Sequence, residues 1–259
     1  MFDRLRLAAA RAALRVAAPA TGWKPIGDHE PGDVFVVGFP KSGHTWVQYL
    51  LAGVLGLDAS RVSDALVNDL IPDVHARLGY RRYSTPVFFK SHALPAPSYR
   101  RVVYLLRDGR DAMVSWFHHH NALFPPVDFP TLVRRAPHLE ARWHEHVEAW
   151  TANPHGAELL VLRYEEMRRE PVRELGRLMA FAGLEVAPEV LAAAVANASF
   201  ERQKQREAKL GWETKEWPKD RPFVRRGAVG SFRDEMPPEA LALFLAEAGA
   251  TLQKFGYPT

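Results

Sequence analysis

The stretch Asp33-Val34-Phe35-Val36-Val37-Gly38-Phe39-Pro40-Lys41-Ser42-Gly43-His44-Thr45-Trp46 decides the fold. Residues 33–38 form a short apolar run rich in β-branched side chains and bounded by glycines, which predicts a buried parallel strand. The segment 45–57 is apolar nearly all round and long enough for a buried helix. Between them lies a glycine loop. Such a frame points successive backbone N–H groups at one spot, and the helix N-terminus adds a positive dipole. An anionic phosphate is its natural occupant. Gly38, Gly43 and Thr45 fit the nucleoside-triphosphatase pattern G-x-x-x-x-G-K-[ST], but its lysine position holds His44. The loop's lysine is Lys41, three residues earlier. Its charge meets a different point along the anion, which argues against ATP or GTP hydrolysis.

Outward from this stretch, apolar runs at 86–91, 101–106 and 158–163 predict three further strands, and 108–121, 139–153, 171–182, 188–198 and 237–255 predict helices. Trp143 and Trp150 stand seven apart on one helical face and read as core. Residues 201–226 are polar and charged, hold Pro218 and Pro222, and read as a long mobile loop with a functional role. Strands alternating with helices define an α/β domain with a central, mostly parallel sheet flanked by helices. The expected division is an N-terminal helix and connecting arm over 1–32, then one α/β domain over 33–259.

The 259 residues are 47% hydrophobic and 25% charged, as a globular domain requires. Thirty-four basic and 30 acidic residues give a net charge of +4. That suits an anionic small ligand rather than a nucleic-acid partner. Cysteine is absent, which excludes disulfides, thiolate metal sites and cysteine nucleophiles. No apolar run approaches the roughly 20 residues that span a bilayer, and a cytoplasmic location is expected. Residues 2–18 place Phe2, Leu5, Ala9, Ala12 and Val16 on one helical face and Arg4, Arg11 and Arg15 on another. They read either as a weak peripheral membrane contact or as a helix packed on its own domain.

Three constellations carry further chemistry. The third predicted strand ends in Arg107-Asp108-Gly109-Arg110-Asp111, on the edge where α/β folds bind ligands. Arg225-Arg226-Gly227-Ala228-Val229-Gly230 joins an arginine pair, suited to bidentate phosphate contact, to a close-approach glycine. Lys90-Ser91-His92 closes the second predicted strand, where positions two apart face the same side. A histidine there is able to take a proton from a hydroxyl near neutral pH. Judged alone, Arg225-Arg226 reads as a solvated basic pair, and Glu165, Glu166 and Glu235 as solvated acids.

In this order, the motifs resemble the cytosolic-type sulfotransferases. That family reads its donor, 3′-phosphoadenosine 5′-phosphosulfate (PAPS), with a P-K-S-G-T-T-W loop. Here the loop is Pro40-Lys41-Ser42-Gly43-His44-Thr45-Trp46, with His44 in place of the first threonine. The resemblance runs from about residue 33 to residue 232 and implies a three-layer P-loop-type domain. It also implies that Lys41, Ser42, Gly43, His44 and Thr45 hold the 5′-phosphate. Arg107, Ser115, Arg225, Arg226 and Gly227 are implied for the 3′-phosphate, and Trp46, Tyr164 and Phe200 for the adenine side. Read from the residues alone, those three aromatics are equally core. The implied catalytic residues are His92 as general base, Lys41 on the leaving oxygen and Lys90 on the sulfonate. Ser115 is further implied to hold Lys41 back until the acceptor arrives. No metal is required.

The acceptor is then a small-molecule hydroxyl compound, apolar or amphiphilic, behind a gate drawn from 62–86 and 118–138. That gate includes Leu66, Ile71, Tyr80, Tyr83, Phe124 and Phe129. His118-His119-His120 excludes a shared metal ion, because successive helical positions diverge by about 100°. The alternatives are a P-loop nucleotide or small-molecule kinase, or a catalytically inactive nucleotide-binding module. The family's dimer element does not follow Phe232, which leaves the oligomeric state open.

Overall fold

The computed structural model describes residues 22–58, 61–212 and 217–259. The segment 2–18 and its membrane reading lie outside the described residues. The chain runs β1 (Lys24–Pro25), β2 (Val34–Val37), α1 (His44–Val54), α2 (Asp64–Leu70), β3 (Gly79–Tyr80), β4 (Phe88–Ser91) and β5 (Arg101–Leu106). It continues through α3 (Gly109–Leu123), α4 (Phe129–Arg135), α5 (Trp143–Ala152), β6 (Glu158–Arg163), α6 (Tyr164–Arg169) and α7 (Pro171–Phe181). It closes with α8 (Pro188–Asn197), α9 (Phe200–Leu210), α10 (Phe232–Glu235) and α11 (Pro238–Lys254).

The central sheet has the order β4-β2-β5-β6, and every pairing is parallel. β1 and β3 form a separate antiparallel pair that anchors the arm before β2. Alternation along the strands sends side chains to two cores. Phe35, Val37, Phe89, Tyr104 and Leu106 pack against α3, α4, α5 and α11. Val34, Val36, Phe88, Val103 and Leu105 pack against α1, α7 and α8. Both faces are covered, which is why β2 is apolar without alternation and all four of its residues are buried. The expected three-layer α/β architecture is the one observed.

The 201–226 segment is corrected in its first half. Residues 200–210 are α9, capped where the Ser199 hydroxyl accepts from the Arg202 amide at 3.4 Å. The sequence Glu-Arg-Gln-Lys-Gln-Arg-Glu is polar but made of strong helix formers, so polarity alone misreads it. Its inner face buries Arg206, which pairs with Asp64 at 2.9 Å and lies over the Tyr49 ring at 4.7 Å. α4 also escapes the apolar-period reading. It is short, and its start is set by Asp128, whose carboxylate accepts from the Thr131 amide at 2.7 Å.

The two tryptophans of α5 are core, each 1% exposed. Each also spends its indole N–H on a strand exit. Trp150 donates to the Ala93 carbonyl, just past β4, at 2.9 Å, and Trp143 to the Arg107 carbonyl, just past β5, at 3.1 Å. The helix thereby fixes two chain exits against each other. Close approach requires Gly109 here, since a Cβ would overlap the Trp143 indole. Trp150→Ala removes this tie with the packing and is expected to lower stability by about 3–5 kcal/mol. Urea denaturation measures it; a loss under about 1 kcal/mol would show that the site end of the domain holds itself.

Candidate active site

A cavity of about 700 Å³ lies along the edge where the strands of the central sheet end. The loop after β2 forms its floor. Gly43 caps α1 with φ 108°, and a Cβ there would stand 2.8 Å from the Tyr164 ring. Lys41 adopts φ 69°, a left-handed conformation that costs a non-glycine residue about 1–3 kcal/mol. The turn carries the lysine amine back over the loop. There its nitrogen lies 4.5 Å from the centre of the Phe223 ring and 3.4 Å from His119 Nδ1. His119, not Ser115, is therefore the partner of the Lys41 amine. Ser115 lines the cavity one turn earlier on α3.

Burial pushes the Lys41 amine down to about 7, helped by the charges of Lys90, Arg107 and Arg225. The same loop leaves the Ser42 hydroxyl buried with no partner among the described residues. The His44 ring is buried with both nitrogens likewise unpartnered, 4.3 Å from the His92 ring. Desolvation holds it well below the ordinary histidine range.

β4 delivers the second element. Lys90 and His92 both line the cavity, as alternation predicts. His92 Nδ1 lies 2.9 Å from the Gly38 carbonyl, and a carbonyl only accepts, so Nδ1 carries the proton and Nε2 is left as an acceptor. Desolvation first, then the Lys90 charge, lowers this imidazole to about 3. His92 is neutral across the physiological range. Its backbone is held too: the amide donates to His75 Nε2 at 2.9 Å, and the carbonyl accepts from His146 Nε2 at 3.1 Å. The Lys90 ammonium pairs with Asp73 at 2.8 Å.

β5 delivers Arg107. Its guanidinium donates to the Lys41 carbonyl at 2.8 Å and the Ala228 carbonyl at 3.3 Å, and it lies 4.4 Å from the centre of the Tyr164 ring. Its Nε is buried without a partner among the described residues. Arg107 thus joins the first loop to the Arg225–Gly230 segment. Two more groups hold that segment. Asp111, 1% exposed, accepts from the Gly230 and Phe232 amides at 2.7 and 3.0 Å, and the Tyr164 hydroxyl donates to the Gly227 carbonyl at 3.2 Å. Arg225 and Arg226 both pair with Glu235, which also meets His118 Nε2 at 2.9 Å. Glu235 is therefore not a solvated acid. Burial opposes its ionisation, yet the hydrogen bonds from Arg225 and His118 keep it below the ordinary carboxylate range.

Trp46, Tyr164, Phe200 and Ala198 wall the far end of the cavity. Trp46 meets Tyr164 edge-on at 6.0 Å, with Arg168 on its ring at 5.6 Å. All the site residues named from sequence except Ser42 line this cavity; Ser42 is buried within the loop, and Arg226 is exposed to solvent as well. Both segments of the anticipated acceptor gate reach the cavity, through Val67, Asp73, His75, His119 and His138, but the residues named for it do not. Ile71, Tyr80 and Phe129 are core residues, and Tyr83 and Leu66 point to solvent, 56% and 41% exposed. Apolar content between motifs marked burial, not the cavity. His118, His119 and His120 do diverge, to Glu235, Lys41 and Asn121. Sequence reasoning missed His119, Asp73 and Asp111. His119 carried a usable signal, since it stands four residues after Ser115 and so on the same helical face. Asp73 carried none, because its place depends on an irregular pairing.

The Ser42 hydroxyl and Arg107 Nε, donors without a partner among the described residues, are grouped with Lys41, Lys90 and Arg225 and fit a polyanionic ligand. The sulfotransferase-domain family model matches residues 31–256, and the chain belongs to that family. It is a sulfotransferase. Rat sulfotransferase 1C2 is 25% identical over 234 residues, 79% of this chain and 78% of that protein. Human sulfotransferase 2A1 is 28% identical over 191 residues, 67% of each. Among solved structures, a retinol dehydratase in complex with androsterone and the inactive cofactor PAP superposes with a TM-score of 0.67 at 21% identity, covering 89% of this chain and 83% of that one. Mouse sulfotransferase SULT7A1, complexed with PAP, gives 0.64 at 21% identity, covering 88% and 89%. The family sets aside the kinase alternative.

Arg107→Ala cuts the tie between the two loops. Backbone amides of 227–230 are expected to exchange with deuterium at least about tenfold faster, as the loss of one or two buried hydrogen bonds dictates. Unchanged exchange would mean that Asp111 and Tyr164 hold the segment alone.

Proposed function

We propose that this sulfotransferase moves a sulfuryl group from PAPS to a hydroxyl of a small amphiphilic acceptor by in-line attack, with His92 as general base. The observation that carries this is the hydrogen bond from His92 Nδ1 to Gly38, which leaves an unprotonated Nε2 beside the Lys41 loop. When bound, the donor supplies an activated sulfuryl group on its 5′-phosphate and a second anion at its 3′ position.

His92 Nε2 takes the proton from the acceptor hydroxyl as that oxygen bonds to sulfur and the bond from sulfur to the bridging oxygen breaks. Lys41, cationic when an anion faces it, stabilises the charge that grows on the bridging oxygen. Lys90, released from Asp73, faces the sulfonate oxygens. The N–H groups of 42–45 and the Ser42 hydroxyl hold the 5′-phosphate, as a helix N-terminus favours. Arg107, Ser115, Arg225, Arg226 and Gly227 hold the 3′-phosphate. Trp46, Tyr164 and Phe200 bind the adenine. Phe223 and His119, over the Lys41 amine, exclude water from the reacting atoms.

Calorimetry is expected to show adenosine 3′,5′-bisphosphate (PAP) binding at least about 100-fold tighter than ATP, with Arg107→Ala losing about 10- to 100-fold, the worth of charge-assisted hydrogen bonds. Equal binding of the two nucleotides would sink the donor assignment. His92→Ala should keep PAP affinity and lose about 10²–10⁴-fold in turnover. The pH dependence follows from Lys41. Its amine titrates near 7 in the free protein, and an anion favours the protonated form. Affinity for PAP should therefore fall as pH rises above 7, by at most about one log unit per pH unit, with proton uptake on binding at pH 8. Calorimetry in buffers of different ionisation enthalpy reads that proton; none taken up would exclude Lys41 as the titrating contact.

A further inference from the structure

We propose that the acceptor carries a second hydrogen-bond donor, a hydroxyl or an ammonium, on the atom next to its reacting carbon or one further, and that the Asp73 carboxylate receives it. The proposal rests on the reading of His92 as the base. It concerns which hydroxyl compounds the site selects.

The placement of Asp73 is built by backbone pairing. Residues 72–74 run along the free edge of β4: the Val74 amide donates to the Lys90 carbonyl at 3.0 Å, and the Lys90 amide to the Pro72 carbonyl at 2.9 Å. Asp73 stands opposite Lys90 in parallel register, so both side chains leave the same face. His92 follows two residues later on that face. Asp73, Lys90 and His92 thus enter the cavity side by side from one sheet edge.

The carboxylate is 15% exposed and fully engaged on one side only. One oxygen takes the Lys90 ammonium at 2.8 Å, the other accepts the His75 amide at 2.9 Å. Each oxygen keeps a further lone pair. The Lys90 charge holds it ionised against the pull of burial. Phe39, Trp116 and His119 add aromatic rings to the cavity wall, and Asp64 and Glu140 are further acids in it. Of these acids Asp73 is the one that enters beside Lys90, from the same sheet edge that delivers His92 to the reacting hydroxyl.

An acceptor with a lone hydroxyl on an apolar skeleton would press hydrocarbon against that acid and shut out water from its remaining lone pairs, which is costly for a buried charge. The cost grows when Lys90 turns to the sulfonate and leaves Asp73. A donor group beside the reacting hydroxyl replaces the ammonium at that moment. A site that hydrogen-bonds a substrate group rejects the analogue lacking it far more strongly than an apolar pocket rejects a missing methylene.

The test is calorimetric binding to PAP-saturated protein of three matched probes: 2-naphthol, 2,3-dihydroxynaphthalene and 3-(aminomethyl)-2-naphthol. Wild type should bind one or both of the latter at least about tenfold tighter than 2-naphthol. In Asp73→Asn that preference should shrink to about threefold or less, while 2-naphthol affinity changes by less than about threefold. Loss confined to the aminomethyl probe assigns an ammonium; equal loss for both assigns a hydrogen bond from either group. Asp73→Glu, which retains the charge, guards against misfolding and should retain a preference.

Equal binding of all three by wild type overturns the proposal. So does a uniform loss across the probes in Asp73→Asn, the signature of an acid that merely holds Lys90. Failure of every probe to bind a protein that does bind PAP also counts against it. Failure to bind PAP itself counts instead against the donor site.

Discussion

The hydrogen bond from the His92 imidazole to the Gly38 carbonyl is the contact on which the site depends. It ties the end of one strand to the start of the phosphate loop on the next. It fixes which ring nitrogen bears the proton, and so which one faces the cavity. The contact exists because β4 and β2 are parallel neighbours, with Ser91 opposite Val37, so that their exits leave the sheet together. α5 reinforces the arrangement from outside. Its two indoles hold the exits of β4 and β5, and a helix buried for packing also sets the spacing of the site.

Charge is the second constraint. Lys41, Lys90, Arg107 and Arg225 converge on one cavity, and burial first, with their mutual repulsion second, depresses the Lys41 amine. Two carboxylates answer them, Asp73 on Lys90 and Glu235 on Arg225 and Arg226. Each acid holds a cation that the proposed chemistry assigns to the donor. The protein thus keeps its anion-binding groups neutralised and oriented, at the cost of exchanging an internal partner for the ligand. Arg107 differs. It spends its N–H groups on backbone carbonyls of two loops, so it shapes the site whether or not it also contacts an anion.

The sheet, its strands and the loop after β2 were legible in sequence because they depend on local pattern. An apolar run between glycines reads as a buried strand, and two-residue alternation at Lys90 and His92 reads as a shared direction. The failures share a cause as well. The residues of α9 read as loop by their polarity, although they favour helices and the buried face carries Arg206 against Asp64. Apolar residues such as Ile71 and Tyr80 read as acceptor gate, but the fold uses them as core. Apolarity reports that a side chain avoids water, not which cavity it borders.

By itself, then, the sequence determined the parallel α/β frame, the phosphate loop with Lys41 in place of a triphosphatase lysine, and the facing of Lys90 with His92. Each follows from residues adjacent along the chain. Only the tertiary structure decided that Lys41 meets His119, that Glu235 holds the arginine pair, and that Asp73 stands beside Lys90. Those contacts join segments from nine to 78 residues apart. Such contacts depend on strand order and helix packing, and no local periodicity encodes them.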